Sequence, residues 1–423
     1  MLAYDRALRL AARSGPITLA GTLGESPARI AAKGLALRYP SPFAATGLTV
    51  EIGAEGSAVA LSAASLTGRM DGGVGGAFAG GTARIAAVPF DLSAISGRWR
   101  FADGALRIDE GAFTLTDRPS GGIARFAPLS AQGAALSLAD NRIAATATLA
   151  HSGSGRRVVE VNLSHDLAKA SGRALLTVPG IAFGDDLQPE DLTYLAKGVV
   201  ALAKGTISGE GEVAWRGDDV TSRGRLRSDG FDFAAAFGPV RGLKGEVVFT
   251  DLLNLTTAPD QTVTIAAINP GVEVLDGHVR FDLSGGSRLA LHEARFPFMG
   301  GSLSLRPLVM DFSRSEERRY VFEITGLDAA TFVAQMELTN LGATGTFDGI
   351  VPVVFDANGN GRIARGVLVS RPGGGNVAYI GELSYEDLGA IGNYAFAALR
   401  SLDYRRMEVG LNGDLAGEIV TNF

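Results

Sequence analysis

The stretch Arg142-Ile143-Ala144-Ala145-Thr146-Ala147-Thr148-Leu149 decides the fold class. Ile143, Ala145, Ala147 and Leu149 fall at every second position. Only an extended strand, whose side chains alternate between two faces, gathers such a set on one side. The same period returns outward in both directions. Toward the N-terminus it holds at Ile17, Leu19 and Leu23, at Leu48, Val50 and Ile52, and at Leu106 and Ile108. Beyond residue 205 it holds at Val213 and Trp215, Val263 and Ile265, Val279, Phe281 and Leu283, Leu303 and Leu305, and Phe322 and Ile324. Asp71-Gly72, Asn269-Pro270-Gly271, Asp276-Gly277, Asn358-Gly359 and Asn412-Gly413 punctuate the runs with residues that accept positive φ, as hairpin turns require. The pattern predicts a meandering antiparallel sheet of roughly twenty-five strands with one wet and one apolar face.

Helical period is confined to three places. Gln188-Pro189-Glu190-Asp191 opens a run carrying Leu192, Leu195, Val199 and Leu202, with Pro and acids in the first turn. Asp328 is placed to cap a helix from Ala329 to Leu338. Glu386 to Leu402 spaces Leu388, Ile391, Ala395, Ala398 and Leu402 along one helical face. The first helix marks the boundary between two expected β-groove segments, 1–186 and 187–423.

Composition narrows the functional classes. A chain of 423 residues exceeds one ordinary core, so it must hold several cores or repeat a unit along an axis. It contains 57 Gly and is 46% apolar, which excludes disorder. Two Trp and eight Tyr are too few for the aromatic girdles of an outer-membrane barrel. The 39 Lys and Arg are scattered and the net charge is −6, so the electrostatic footprint of a nucleic-acid binder is missing. Without cysteine there is neither a disulfide nor a thiolate metal site. No apolar stretch reaches the ~18 residues that spanning a bilayer demands. The N-terminal Met1-Leu2-Ala3-Tyr4-Asp5-Arg6 lacks the layout of a secretion signal, so a chain acting outside the cytoplasm is expected to be a piece of something longer.

Candidate chemistry is thin. Asp356-Ala357-Asn358-Gly359-Asn360-Gly361 copies the first half of an EF-hand loop, but Val367 stands where the bidentate Glu belongs, and a polar hairpin is the better reading. His292-Glu293 begins a zincin-like motif that Phe296 and Pro297 end. His151, His165 and His278 are isolated, and no nucleophile elbow or phosphate loop is present. The carboxylate pair Asp185-Asp186 reads as solvated loop. No catalytic residue, metal site or cofactor is expected, and the chain does not read as an enzyme.

From about residue 195 onward a series of stretches resembles the YdbH family, whose domain is often labelled a dicarboxylate transport domain and is related to AsmA-like and repeating β-groove proteins. They are Gly205-Thr206-Ile207-Ser208-Gly209-Glu210-Gly211 with Trp215, Gly242-Leu243-Lys244-Gly245 leading to Phe249-Thr250-Asp251-Leu252, and Ile268-Asn269-Pro270-Gly271. Phe296-Pro297-Phe298-Met299-Gly300-Gly301, Gly326-Leu327-Asp328-Ala329-Ala330 and Gly345-Thr346-Phe347-Asp348-Gly349-Ile350-Val351-Pro352 follow in order. Arg371-Pro372-Gly373-Gly374-Gly375 and Leu399-Arg400-Ser401-Leu402-Asp403-Tyr404 complete the set. Residues 1–194 are similar only in texture.

The resemblance implies an elongated, curled antiparallel β-groove, held at the inner membrane by an N-terminal anchor this chain lacks. Its cargo would be phospholipid carried across the periplasm, and its C-terminal edge would add a strand from an outer-membrane lipoprotein. Three short helices cannot cover the apolar face of so many strands. The sheet must pair with a second sheet, close into a barrel, or stay open as a trough whose wall receives a guest. For the trough, the expected lining is Val247, Phe249, Val263, Ile265, Val272, Val274, Val279, Phe281, Leu289, Leu291, Leu303 and Leu305. The competing expectation is a structural β-solenoid or adhesin-like envelope protein with a packed interior.

Overall fold

A computed structural model of the chain describes residues 2–5, 9–23, 26–39, 42–53, 59–70, 73–86, 88–119, 124–217, 219–235, 238–269, 273–311, 317–356, 360–381, 400–415, 417 and 419–422. It divides into two compact units. The first comprises Met1–Lys197, Gly205–Arg227 and Val248–Leu253, and the second Gly198–Lys204, Ser228–Val247 and Asn254–Phe423.

Strands build both. In chain order they are β1 (Leu2–Asp5), β2 (Arg9–Ser14), β3 (Ile17–Leu23), β4 (Ser26–Ala32), β5 (Gly34–Tyr39), β6 (Phe43–Ile52), β7 (Val59–Met70), β8 (Val74–Ile85), β9 (Phe90–Ala102), β10 (Ala105–Asp117), β11 (Leu129–Ala139), β12 (Arg142–His151), β13 (Arg157–Asp166) and β14 (Ser171–Phe183). Helix α1 (Pro189–Leu192) and a 3₁₀ turn at Tyr194–Ala196 precede β15 (Ala201–Arg216), β16 (Asp219–Ala235), β17 (Gly238–Asp251), β18 (Thr256–Thr257), β19 (Gln261–Ile268), β20 (Val274–Ser284), β21 (Arg288–Phe298), β22 (Gly301–Leu305), β23 (Leu308–Asp311) and β24 (Arg318–Asp328). Helix α2 (Ala329–Gln335) leads to β25 (Leu341–Ala343), β26 (Thr346–Phe355), β27 (Gly361–Ser370), β28 (Gly375–Tyr379), β29 (Leu402–Tyr404), β30 (Glu408–Asp414) and β31 (Ile419–Asn422).

Every described ladder is antiparallel. In the first unit, β6 through β15 pair each with the next, a meander of ten strands. In the second, β17 pairs with β19, and β19, β20 and β21 follow in order. There β21 meets both β22 and β23, and the chain of partners continues through β22, β24, β26, β27, β30 and β31. A small sheet of β25, β28 and β29 stands apart. Among the described ladders β1 has only β2 and β31 only β30, so the all-β, antiparallel class is as expected and no barrel closes.

Several strands are longer than the sequence runs because they join two of them through a change of phase. In β10 the inner face takes Leu106 and Ile108, then Gly111 and Phe113; the step falls at Glu110, with φ 54°. Gly80 in β8 (φ 63°), Ala94 in β9 (φ 51°) and Gly133 in β11 (φ 72°) make the same step at the same level of neighbouring strands. The second unit repeats the device at Gly242, Asp276, Gly326 and Arg365. A bulge-like step bends its strand and sharpens the local twist, so a row of them creases the sheet across its strands. Asp276-Gly277 and Asn412-Gly413 therefore lie inside β20 and β30, where a hairpin turn was expected.

Abundant glycine has a second use. Phe43 lies opposite Gly68, Trp215 opposite Gly172 and Phe355 opposite Gly361, each ring covering the bare backbone of its partner. Phe296 covers Gly277 in the same way. Such pairs let a large ring lie flat on the sheet.

The helices are shorter than the period predicts. Proline and the paired acids start α1, whose capping box joins Gln188 and Asp191, but it ends after four residues. Leu202, expected on its apolar side, belongs to β15 and is 75% exposed. The strand wins because Gly198 and Gly205 interrupt the helical run and ladder pairing begins at Gly205. Asp328 caps α2 as expected, accepting a 2.7 Å hydrogen bond from the Thr331 N–H, although α2 stops at Gln335. Most of the helix expected over 386–402 lies outside the described residues, and its last member, Leu402, opens β29.

Gly277→Val would force Phe296 off the backbone it covers, and Phe296 is only 6% exposed. We expect about 1–3 kcal/mol of destabilisation in denaturant unfolding. Gly230→Val, where no atom stands within 4 Å of the added carbon, should have a far smaller effect.

Candidate functional site: an apolar sheet face

Because side chains alternate and the phase steps are aligned, cross-strand partners on the inner face of the first unit form an unbroken row. It runs Phe43, Gly68, Gly76, Trp99, Ile108, Leu136, Ala145, Leu163, Ala174 and Val213, one residue from each of β6 to β15. At ~4.8 Å per strand the nine steps cover about 43 Å. Nothing in the row is charged. Most of its larger members are only half-buried, while polar residues such as Thr146, Asn162 and Arg173 occupy the opposite face.

The second unit carries a parallel arrangement. Gly245, Val263, Val279, Ala294, Leu305, Phe322 and Val351 are successive cross-strand partners. Here much of the face is closed by its own packing. Val274, Leu291, Phe296, Met299, Leu303, Tyr320, Ile324 and Phe347 belong to one buried cluster, each 9% exposed or less. Tyr320 meets Phe355 edge-on at 5.4 Å, and α2 supplies Phe332 at the margin.

The expected lining residues divide accordingly. Val274, Leu291 and Leu303 sit inside the buried cluster, and Val279, Phe281 and Leu305 are half-buried against it. Val263 (6% exposed) and Ile265 (8%) are buried on β19, whereas Val247 and Leu289 are half-buried. Phe249 is buried within the first unit. Val272 lies outside the described residues. The row from Phe43 to Val213 was not anticipated as lining. Its signal was present in the period of Ile108, Ala145 and Val213, but glycines at 68 and 76 hide its continuity.

Residues 124–128 form a strap ahead of β11, where Phe126, like Phe113 and Leu115, packs against the buried cluster of Leu129, Ala131 and Leu149. The strap is held by Arg125, which donates to both Asp117 oxygens, Nη2 to Oδ1 at 2.6 Å and Nε at 3.2 Å, and through Nη1 to the Leu253 carbonyl at 2.6 Å. The Thr193 hydroxyl donates to the Arg125 carbonyl, and the Ala127 N–H to Leu192, so α1 and its 3₁₀ turn are tied to the same strap. The Asp117 side chain is wholly buried. Burial alone would raise its carboxyl; the Arg125 hydrogen bonds and charge outweigh that and hold it below the ordinary carboxylate range.

The polar candidates do not gather into a reactive site. His165 and Trp215 stack at 5.9 Å, the indole N–H donating to Nδ1 at 3.0 Å, and burial lowers the imidazole below its usual value. His292 lies on β21, where it hydrogen-bonds Asp282 at 2.7 Å; that bond holds Asp282 low. Asp356 accepts from the Asn360 N–H and side-chain amide at 2.9 Å, which closes a hairpin at that point. Among the described residues no group of three His, Asp or Glu could hold a metal. Among the same residues no helix is long and apolar enough to cross a membrane.

A family model described as YdbH-like, intermembrane phospholipid transport protein YdbH, matches residues 5–423. The match thus takes in the N-terminal residues whose likeness lay only in texture. No curated protein and no solved structure matches the chain.

The buried pair anchors the strap, so its loss has a defined pH signature. Asp117 titrates below its unfolded value. Its contribution is therefore complete above the ordinary carboxylate range and disappears as pH falls through the folded value. Asp117→Asn should cost about 3–5 kcal/mol near neutrality by stranding Arg125. Melting temperature followed from pH 7 to 3 should decline less steeply in this variant than in the unaltered chain.

Proposed function

Because the chain belongs to the YdbH-like family of intermembrane phospholipid transport proteins, we propose that its apolar sheet face is the surface along which phospholipid acyl chains move. The single observation that carries this reading is the uncharged, largely half-buried row of ten cross-strand partners from Phe43 to Val213. Drawing an acyl chain through water costs about 0.8 kcal/mol per CH₂, hence more than roughly 10 kcal/mol per chain. A continuous apolar row removes most of that cost at every point along its length. Headgroups can remain in water beside such a face, so no polar clamp is needed.

In the second unit the lining we propose is the half-buried set, Val247, Val279, Phe281, Leu289 and Leu305, with Val263 and Ile265 on the adjoining strand. Val274, Leu291 and Leu303 then form the floor that keeps it in shape. The family's task, transport between membranes, is consistent with work in the periplasm. An inner-membrane anchor outside this chain and a lipoprotein strand added beside β31 would complete the path. The expected segments, 1–186 and 187–423, would each carry one stretch of the face.

Phospholipid bound to the purified chain, measured by mass spectrometry, tests the reading. Phe281→Asp and Ile108→Asp each place a charge on the face. Both should reduce bound lipid by about tenfold or more, since a buried charge and an acyl chain cannot share the site. Wild-type lipid content in both variants, with melting temperatures retained, would overturn it.

A further inference from the structure

The strand tips of β7 to β10 combine two features that a freely solvated sheet edge avoids. On the inner face, the row nearest the tips is apolar: Met70, Val74, Phe101 and Leu106 are cross-strand partners. Met70 is 49% exposed and Phe101 48%. One residue away on the outer face runs Arg69, Gly75, Arg100 and Arg107. Arg100 and Arg107 stand directly opposite each other, a like-charge pairing that ordinarily destabilises a sheet.

At several other places the wet face sets an arginine beside an acid. Arg223 meets Glu212 at 2.7 Å, Arg225 meets Glu210 at 2.6 Å, and Arg98 meets Glu110 at 3.2 Å. Arg69, Arg100 and Arg107 are exposed and have no carboxylate within ion-pair distance among the described residues. Gly75 between them leaves the outer surface bare, and a recess borders it, lined in part by Arg69, Arg98, Arg100, Thr67 and Asp109. Unpaired guanidinium groups in a row suit phosphate oxygens, which they can grip two at a time. Exposed Phe and Met one residue away suit the boundary between headgroups and acyl chains.

We propose that this edge docks on a phospholipid bilayer, with Phe101 and Met70 entering the interfacial layer and Arg69, Arg100 and Arg107 holding lipid phosphates. Asp103, at the tip of the β9–β10 turn, opposes deep insertion into an anionic surface and favours headgroups that pair phosphate with an ammonium group. The docking rests on the functional reading above, since a carrier of lipid must meet a membrane to load or unload. It adds where that meeting occurs.

Vesicle flotation of the full chain tests it, using vesicles of phosphatidylethanolamine with phosphatidylglycerol, at low and at high salt. The unaltered chain should float. Phe101→Gln with Met70→Gln, and separately Arg100→Glu with Arg107→Glu, should each lower the floating fraction at least fivefold. All four positions are exposed, so melting temperature should stay unchanged. Inorganic phosphate at millimolar concentration should not release the chain; release by phosphate alone would show a site for the free anion and overturn docking. Failure of the unaltered chain to float, or flotation undiminished in either double variant, overturns it as well. Phe281→Asp keeps the two readings apart: it should float normally yet carry little lipid, whereas the edge variants should retain bound lipid.

Discussion

The antiparallel ladder governs this molecule. Each strand satisfies its backbone groups through its neighbours, and alternation then commits every second side chain to one face. Over twelve or thirteen residues a strict period of two conflicts with a sheet that must bend. In β8 to β11 the chain resolves the conflict with a positive-φ step in each strand, aligned at Gly80, Ala94, Glu110 and Gly133. Inside stays inside on both sides of the crease. The apolar row survives the bend, and the function proposed for it depends on that survival.

The two units treat the resulting face differently. In the first, the inner row mixes larger residues with Gly and Ala, and most of its larger members are not sealed by a partner. It remains largely half-buried. In the second, Phe296, Met299, Tyr320, Phe347 and Phe355 are large enough to meet one another, and a buried cluster forms. A half-buried face and a packed interior thus arise from the same strand pattern.

Polar interactions here set positions. Arg125 gathers β10, the strap, α1 and the Leu253 carbonyl around one buried carboxylate. Arg371 does the same at lower burial, reaching both oxygens of Asp348 while the Gly326 N–H donates to one of them. Removing either partner of such a pair leaves an uncompensated group. Arg69, Arg100 and Arg107 differ from these pairs in standing on one row beside the exposed Met70 and Phe101.

Alternation at Ile143, Ala145, Ala147 and Leu149, and at a dozen similar places, was enough to establish strands, antiparallel order and one apolar face, because side-chain period is a local property of the backbone. Asp328 as a helix cap was legible for the same reason. Tertiary structure alone decided that Asp276 is a mid-strand step and no hairpin, since positive φ serves both and only the partner strand distinguishes them. It also decided which apolar residues are sealed and which are not: Leu303 and Leu305 share one strand and one face, yet one is buried within a cluster and the other only half-buried against it. Whether a side chain meets another or a vacancy depends on what distant strands bring opposite it, and no local pattern carries that information.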